Sequence, residues 1–192
     1  MHKTMISVCM ATYNGERFIR EQLGSILSQL SPDDEIVISD DGSTDNTLNI
    51  VSELNSPLIK VFTNHGQHGY TPNFENALAH AKGDYVFLSD QDDIWEPQKV
   101  EVCLKHLKNC DFVISDATMV DAENRIIAKS FCAERHSKPG LISNLIRFSY
   151  LGCCMAFRKE VLRKALPFPP NHKCCTHDNW LALIGLAFHK TV

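Results

Sequence analysis

Three aspartates stand within four positions directly after an apolar segment of the chain. Asp90, Asp92 and Asp93 follow the apolar residues 85–88, and carboxylates this close repel one another unless a cation lies among them. Asp90 and Asp92 point to the same side if the strand continues through them. Carboxylate oxygens suit Mg²⁺ or Mn²⁺. The spacing predicts a divalent metal site; the alternative is a solvated acidic turn in which Asp93 caps the next helix.

A second polar cluster has the sequence DDGSTD and covers residues 40–45. A turn followed by a helix cap explains it without any ligand, and Asp45 is favourable near a helix N-terminus. Asp41 is also suited to accept a hydrogen bond from the ring N–H of uracil or thymine. Tyr13 follows the first apolar segment and is suited to stack on such a base. From these residues alone, both interpretations stay open.

The elements that must position these residues alternate between strand-like and helix-like segments. Strands are predicted at 6–11, 35–39, 58–62, 85–89 and 112–115, and helices at 16–30, 44–54, 73–81 and 97–107. This alternation is typical of parallel strands joined by crossover helices. Open sheets of this kind bind ligands where their strands end. We therefore expect an α/β fold that gathers the polar clusters at one edge of the sheet.

The alternation breaks after residue 116. A turn at 121–124 predicts a hairpin of two short strands across the sheet edge, and the remaining elements are a helix at 141–148, a strand at 153–157 and helices at 159–165 and 178–188. Asp178 would open the last helix, which makes a helix N-cap its simplest role. Because the chain ends soon after this helix, we expect one domain, 1–192, that is incomplete at its C-terminus.

Composition excludes several classes of protein. The 192 residues carry a net charge of −4 without a run of lysine or arginine, so nucleic acid is not expected as a partner. A nucleoside diphosphate bound by an acidic protein needs a cation to neutralise it. No apolar stretch approaches the ~20 residues that cross a bilayer, and the N-terminus lacks a signal-peptide layout. We therefore expect a cytoplasmic protein.

The eight cysteines are interpreted as reduced thiols, since a chain of this length needs no disulfide framework. His172, Cys174, Cys175 and His177 lie within six positions of one another. Their spacing matches no standard structural zinc pattern. A polar loop whose cysteines fill small gaps is the simpler explanation for this segment, with a zinc site as its alternative.

Two other phosphate-binding classes lack their motifs. Neither G-x-G-x-x-G nor G-x-x-x-x-G-K-[ST] occurs, so phosphates would be met by metal or side chains rather than by a glycine-rich loop. A HAD-type phosphatase also uses aspartates at strand ends and Mg²⁺. It needs a carboxylate after its first strand, and residues 10–13, with the sequence MATY, offer none.

Taken together, five motifs resemble a known family over nearly the whole chain. They are MISVCMATYNGERFIREQL, ISDDGSTDNT, GDYVFLSDQDDIW, LGCCMAFRKE and HDNWLAL. Their order and spacing are similar to those of family 2 glycosyltransferases, which have the GT-A fold, a mixed and mostly parallel sheet flanked by helices. The combination of DQDDIW with HDNWLAL is most similar to the branch associated with rhamnosyl transfer in surface polysaccharide synthesis.

The resemblance implies a role for each matching residue. Thr12, Tyr13 and Asp41 would form the nucleotide site, with the pyrimidine base held by Tyr13 and Asp41, and Asp90 would lie near the ribose. Asp92, as the second acid of the D-x-D motif, would bind the metal on the diphosphate. Asp178 falls where the family keeps its catalytic base.

The implied activity is transfer of a sugar with inversion. The donor would be dTDP-rhamnose or a UDP-sugar, the cofactor Mg²⁺ or Mn²⁺, and the acceptor a glycan or lipid-linked glycan that would bring the protein to the inner face of the membrane. Relatives continue beyond the last helix into a strand and a histidine-containing loop that this sequence lacks. The alternative is therefore a non-catalytic fragment that only binds nucleotide sugars.

Overall fold

The computed structural model describes residues 4–137, 140–146, 150–170 and 175–192. The strands in these ranges are β1 (Ile6–Thr12), β2 (Glu35–Asp40), β3 (Ile59–Thr63), β4 (Tyr85–Ser89), β5 (Phe112–Ile114), β6 (Met119–Val120), β7 (Ile126–Ala128) and β8 (Met155–Arg158). The α-helices are α1 (Ile19–Leu27), α2 (Thr47–Glu53), α3 (Tyr70–His80), α4 (Lys99–Leu107), α5 (Phe131–Glu134), α6 (Leu141–Ile146), α7 (Leu162–Ala165) and α8 (His177–Phe188). None of these helices has the length and apolar character needed to cross a membrane.

Six strands form one sheet in the order β3-β2-β1-β4-β8-β5. The first four strands of the chain run parallel, and β8 is antiparallel to both of its neighbours, β4 and β5. Thr12 pairs with Asp40, and Met10 pairs with Ser89. The carboxyl ends of β1, β2 and β4 therefore meet at one edge of the sheet. The predicted α/β class with a mixed, mostly parallel sheet is confirmed.

Helices cover both faces of the central strands. Because side chains alternate along a strand, Val8 and Met10 of β1 join the cluster packed under α1, α2 and α4, whereas Cys9 joins the cluster under α3 and α8. Strand β2 is buried at every position. Burial on both faces explains why β1 and β2 read as continuous apolar runs rather than as alternating patterns.

Several element boundaries differ from the predicted ones. Helix α2 begins at Thr47 with Asn46 as N-cap, not at the predicted residue 44, because the Ser43 hydroxyl is used in a turn with Asp40. The predicted strand at 153–157 begins instead with a 3-10 turn, Gly152–Cys154, before β8. The predicted hairpin exists, but β6 and β7 form a separate two-stranded sheet. Helix α6 ends at Ile146, and the predicted continuation to 148 lies outside the described residues.

Candidate functional site

A cavity of about 770 Å³ lies at the edge where β1, β2 and β4 end. It is lined by five of the six predicted site residues: Thr12, Tyr13, Asp41, Asp90 and Asp92. The sixth, Asp178, belongs to α8 and is not among the lining residues. The cavity sits beside β1, where the strand order reverses direction, which is the usual ligand position in open α/β sheets.

Thr12 supports the wall of the cavity and has little left to offer a ligand. It is 1% exposed, and its hydroxyl donates to the Asp40 carboxylate at 2.8 Å. Asp40 in turn accepts from the backbone N–H groups of Gly42 and Ser43, and Gly42 takes the positive φ of 84° that this tight turn requires. Asp40 therefore shapes the turn that carries Asp41.

Tyr13 presents its ring to the cavity while its backbone is clamped. The Tyr13 N–H donates to Gln91 Oε1 at 3.0 Å, and the Tyr13 carbonyl accepts from Gln91 Nε2 at 3.1 Å. Gln91 also packs where a side chain on Gly15 would be. The middle residue of the D-Q-D segment thus ties β4 to the loop after β1. Tyr13 as a residue stays 56% exposed, which leaves its ring available for stacking.

Asp41 organises the loop that follows β3. Its Oδ1 accepts from Asn64 Nδ2 at 2.8 Å and lies 3.2 Å from His68 Nδ1, and its Oδ2 accepts from the Gly69 N–H at 2.8 Å. These contacts hold both ends of the 64–69 loop against Asp41. His68, Gly69 and Tyr70 consequently join the lining of the cavity.

The acidic segment after β4 divides between two positions. Asp92 is exposed and lines the cavity. Asp90 also lines the cavity, and it converges with Asp93 and Cys153, one ligand atom from each lying within 4.8 Å of the others. Asp93 is not the cap of α4, because that helix begins at Lys99 with Gln98 as N-cap. The alternative of a simple capping turn therefore fails for Asp93.

Electrostatic repulsion in this segment is marked at Asp90. Burial, followed by the charges of Asp93 and Asp92, raises the pKa of Asp90 to about 7, against an opposing hydrogen bond from Cys153. Burial and Asp93 raise the pKa of Asp92 as well. Such an oxygen-rich, mutually repelling set fits a divalent cation such as Mg²⁺ or Mn²⁺.

Asp178 is the second residue of α8 and not its N-cap, which is Thr176. The Asp178 carboxylate accepts from the Thr176 hydroxyl and, at 2.8 Å, from the Asn179 N–H. A carboxylate in the first turn of a helix is stabilised by the helix dipole. The charge of Asp178 contributes to the raised pKa of Asp90, which brings the predicted base into electrostatic reach of the acidic segment.

His177 anchors the start of α8. Its ring is buried, stacks on Phe74 with centroids 4.1 Å apart and meets Tyr70 edge-on. Burial lowers the pKa of His177 to about 4, so the ring is neutral at physiological pH. Neither ring nitrogen has a hydrogen-bond partner within the described residues. Of the four residues of the alternative zinc site, His172 and Cys174 lie outside the described residues.

Three contributors to the site escaped the sequence interpretation: Gln91, His68 and Gly152. Gly152 leaves the space that His177 fills, because a Cβ on Gly152 would lie 2.7 Å from His177 Nε2. Each acts on a residue at least 25 positions away, and spacing along the chain gives no signal for such contacts. For Gly152, the glycine within the LGCCMAFRKE motif was the one available hint.

The chain belongs to glycosyl transferase family 2, whose model matches residues 7–166. The sheet order and its helical layers are accordingly those of the GT-A fold, as the motifs implied. The chain spans between about half and two thirds of the length of curated relatives that it matches.

Two relatives and one solved structure illustrate the likeness. The dTDP-rhamnosyl transferase RfbG of Shigella flexneri is 33% identical over 192 residues, covering 90% of this chain and 63% of that protein. The UDP-Glc:α-D-GlcNAc-diphosphoundecaprenol β-1,3-glucosyltransferase WfgD of Escherichia coli is 28% identical over 175 residues, covering 90% and 67%. The mannosyltransferase PcManGT of Pyrobaculum calidifontis, solved with GDP-Man and Mn²⁺, has a TM-score of 0.71 at 20% identity and covers 100% of this chain and 55% of that chain.

Proposed function

We propose that the chain is the donor-binding and catalytic part of an inverting glycosyltransferase. The donor is dTDP-rhamnose or a UDP-sugar, and the acceptor is a hydroxyl of a cell-surface polysaccharide or glycolipid. One observation carries the proposal: Tyr13, Asp41, Asp90 and Asp92 line a single cavity, with Asp178 in electrostatic reach of it. The dTDP-rhamnosyl and UDP-Glc relatives support a pyrimidine nucleotide donor.

The diphosphate of the donor needs a cation in this acidic cavity. Asp92 is the proposed ligand because it lines the cavity, and it interacts electrostatically with Asp90 and Asp93. The Mn²⁺ in the mannosyltransferase structure supports a divalent ion. When bound, the ion would supply neutralisation of the diphosphate as it leaves.

The chain's own residues then orient the reactants and move one proton. Tyr13 stacks on the base, and Asp41 supports recognition of the base edge. Asp178 accepts the proton of the acceptor hydroxyl while the acceptor oxygen bonds to the anomeric carbon and the bond from that carbon to the diphosphate breaks. Because the attack comes from the face opposite the leaving group and no enzymic nucleophile takes part, the anomeric configuration inverts.

The acceptor side is proposed from the relatives. The glucosyltransferase relative acts on a sugar linked to diphosphoundecaprenol, which is a lipid-linked glycan. An acceptor of this kind would bring the protein to the inner face of the membrane.

Hydrolysis of the donor tests this function without knowledge of the acceptor. With Mn²⁺ present, we expect slow release of dTDP or UDP from dTDP-rhamnose or UDP-glucose, because water can replace the acceptor hydroxyl. Asp178→Asn should slow this release by about 10²–10⁴-fold, the usual contribution of a general base. Nucleotide affinity should stay unchanged, which titration calorimetry would verify.

Asp178→Glu serves as the companion variant. It keeps the charge but displaces the carboxylate, so it too should be slow if the proton-transfer geometry matters. Full activity of Asp178→Asn would assign the base to another residue. Tight nucleotide binding with no turnover in the unaltered chain would favour the non-catalytic binding fragment instead.

A further inference from the structure

The carboxylate of Asp41 is already largely occupied by protein donors. A carboxylate offers about four lone-pair positions, and three of them face Asn64, His68 and the Gly69 N–H. The Asp41 side chain is only 9% exposed. Asp41 is therefore better placed to hold the loop than to meet a base directly.

The contact between Asp41 and His68 fixes the tautomer of the imidazole. A carboxylate can only accept, so the hydrogen in the 3.2 Å contact belongs to His68 Nδ1. In a neutral ring, Nε2 is then an acceptor, and ring geometry turns it away from Asp41. The His68 side chain is 79% exposed and lines the same cavity as Tyr13.

We propose that His68 Nε2 accepts the N3–H of the donor's uracil or thymine ring and so determines base specificity, with Asp41 as the positioning residue behind it. This inference rests on the proposed nucleotide-sugar function. Uracil and thymine both carry a hydrogen on N3, whereas N3 of cytosine is itself an acceptor. An acceptor held at this edge of the base selects the first two and repels the third.

Three variants and two nucleotides isolate this contact. His68→Phe keeps a planar ring but removes both nitrogens, and His65→Phe is the matched control, because His65 is an exposed histidine on the same loop that lines a different cavity. Asp41→Asn tests the positioning role. UDP and CDP would be titrated with Mn²⁺ at about pH 8, above the range in which imidazole ordinarily titrates.

The unaltered chain and His65→Phe should prefer UDP over CDP. In His68→Phe, we expect UDP affinity to fall about five- to tenfold, the range of one net hydrogen bond, while CDP affinity changes less than about twofold or improves. Asp41→Asn should also lose UDP selectivity, since it frees the tautomer.

Two results would overturn the assignment. An equal loss for UDP and CDP in His68→Phe would reduce His68 to a residue that only orders the loop. Unchanged UDP affinity in that variant would mean that Asp41 or another acceptor, and not His68, accepts the hydrogen bond from the N3–H of the base. Failure of the unaltered chain to bind any nucleotide is a separate result, because it would refute the proposed function itself.

Discussion

At the residue scale, Asp90 is the carboxyl most affected by electrostatic repulsion within the site. Its carboxyl is held among Asp93, Asp92 and Cys153, and Asp178 adds a further negative charge. Burial and these charges together raise the pKa of Asp90 to about 7. Without a cation, the folded protein therefore keeps a proton on Asp90 over much of the range in which an exposed aspartate would be ionised.

This shift predicts a pH dependence of stability in metal-free buffer. The folded state binds the Asp90 proton more tightly than the unfolded chain, so the stabilising contribution is complete below about pH 4 and is lost as pH rises through about 7. In Asp90→Asn, the side chain at position 90 is uncharged throughout this pH range. We expect thermal unfolding with a chelator to show Asp90→Asn gaining in melting temperature over the unaltered chain between about pH 5 and 8.

Asp92→Asn provides the comparison for this measurement. It removes one of the charges that raise the pKa of Asp90, so the pH dependence of the chain should shrink but keep its sign. A difference between Asp90→Asn and the unaltered chain that stays constant over this range would contradict the assignment of the proton to Asp90.

Residue type and position predicted the candidate site where the chemistry was local. Tyr13, Asp41, Asp90 and Asp92 follow apolar strands, and strand ends meet in such sheets, so their convergence was foreseeable. Their contacts were not: His68 reaches Asp41 across 27 positions and Gln91 reaches Tyr13 across 78. Those contacts depend on loop conformation, which periodicity does not report.

At the element scale, the first turn of α8 is held from three sides. Gly152 leaves room for the His177 ring, Phe74 stacks on it, and the His177 N–H meets Thr71 Oγ1 at 3.2 Å. Asp178 is the next residue, so the packing of His177 also fixes the backbone that carries the carboxylate. The neutral, buried ring acts here as a packing element.

A methyl group at Gly152 should therefore disturb the site through this helix. In Gly152→Ala, the new Cβ would lie 2.7 Å from His177 Nε2 and 3.5 Å from Asp178 Cβ, so the start of α8 must shift. We expect a loss of about 1–3 kcal/mol of stability, typical of overpacking, and slower donor hydrolysis with little change in nucleotide affinity. Urea unfolding and the hydrolysis assay measure these effects.

Gly24→Ala is the matched control for that substitution. Gly24 lies within α1, and a Cβ there meets nothing within 4 Å, so alanine should stabilise by about 0.5–1 kcal/mol through helix propensity. If Gly152→Ala proved as stable and active as Gly24→Ala, the proposed packing of His177 against Gly152 would be wrong.

The elements themselves were predictable from sequence more reliably than their ends. Strands β1, β2 and β4 were placed correctly because runs buried on both faces are distinctive. The start of α2 was misplaced because Asp45 accepts hydrogen bonds from the Thr47 N–H and hydroxyl, which moves the first helical residue beyond the Ser-Thr pair. Such local competition between side chains and backbone decides where a helix begins.

At the scale of the whole molecule, negative charge opposes the binding of a nucleotide diphosphate. The net charge is −4, and the cavity is lined by Asp41, Asp90 and Asp92, with no lysine or arginine among the lining residues that the structure describes. A diphosphate entering this field meets repulsion, which is strong at short range and weakly screened when partly buried. Nucleotide affinity should therefore depend on a divalent cation.

Calorimetric titration of UDP and dTDP, each with Mn²⁺ and with a chelator, measures this dependence. We expect affinity at least about tenfold higher with Mn²⁺, because an ion at Asp92 neutralises charge on both sides of the contact. Asp92→Asn should abolish that metal-dependent gain.

Glu53→Gln is the control and should retain the gain, since it changes net charge equally at an exposed ion pair with Arg20. ADP carries the same diphosphate on a purine, so its weaker binding would separate base recognition from charge. Equal UDP affinity with Mn²⁺ and with chelator would remove the metal from the mechanism and leave the repulsion to be relieved by protein groups alone.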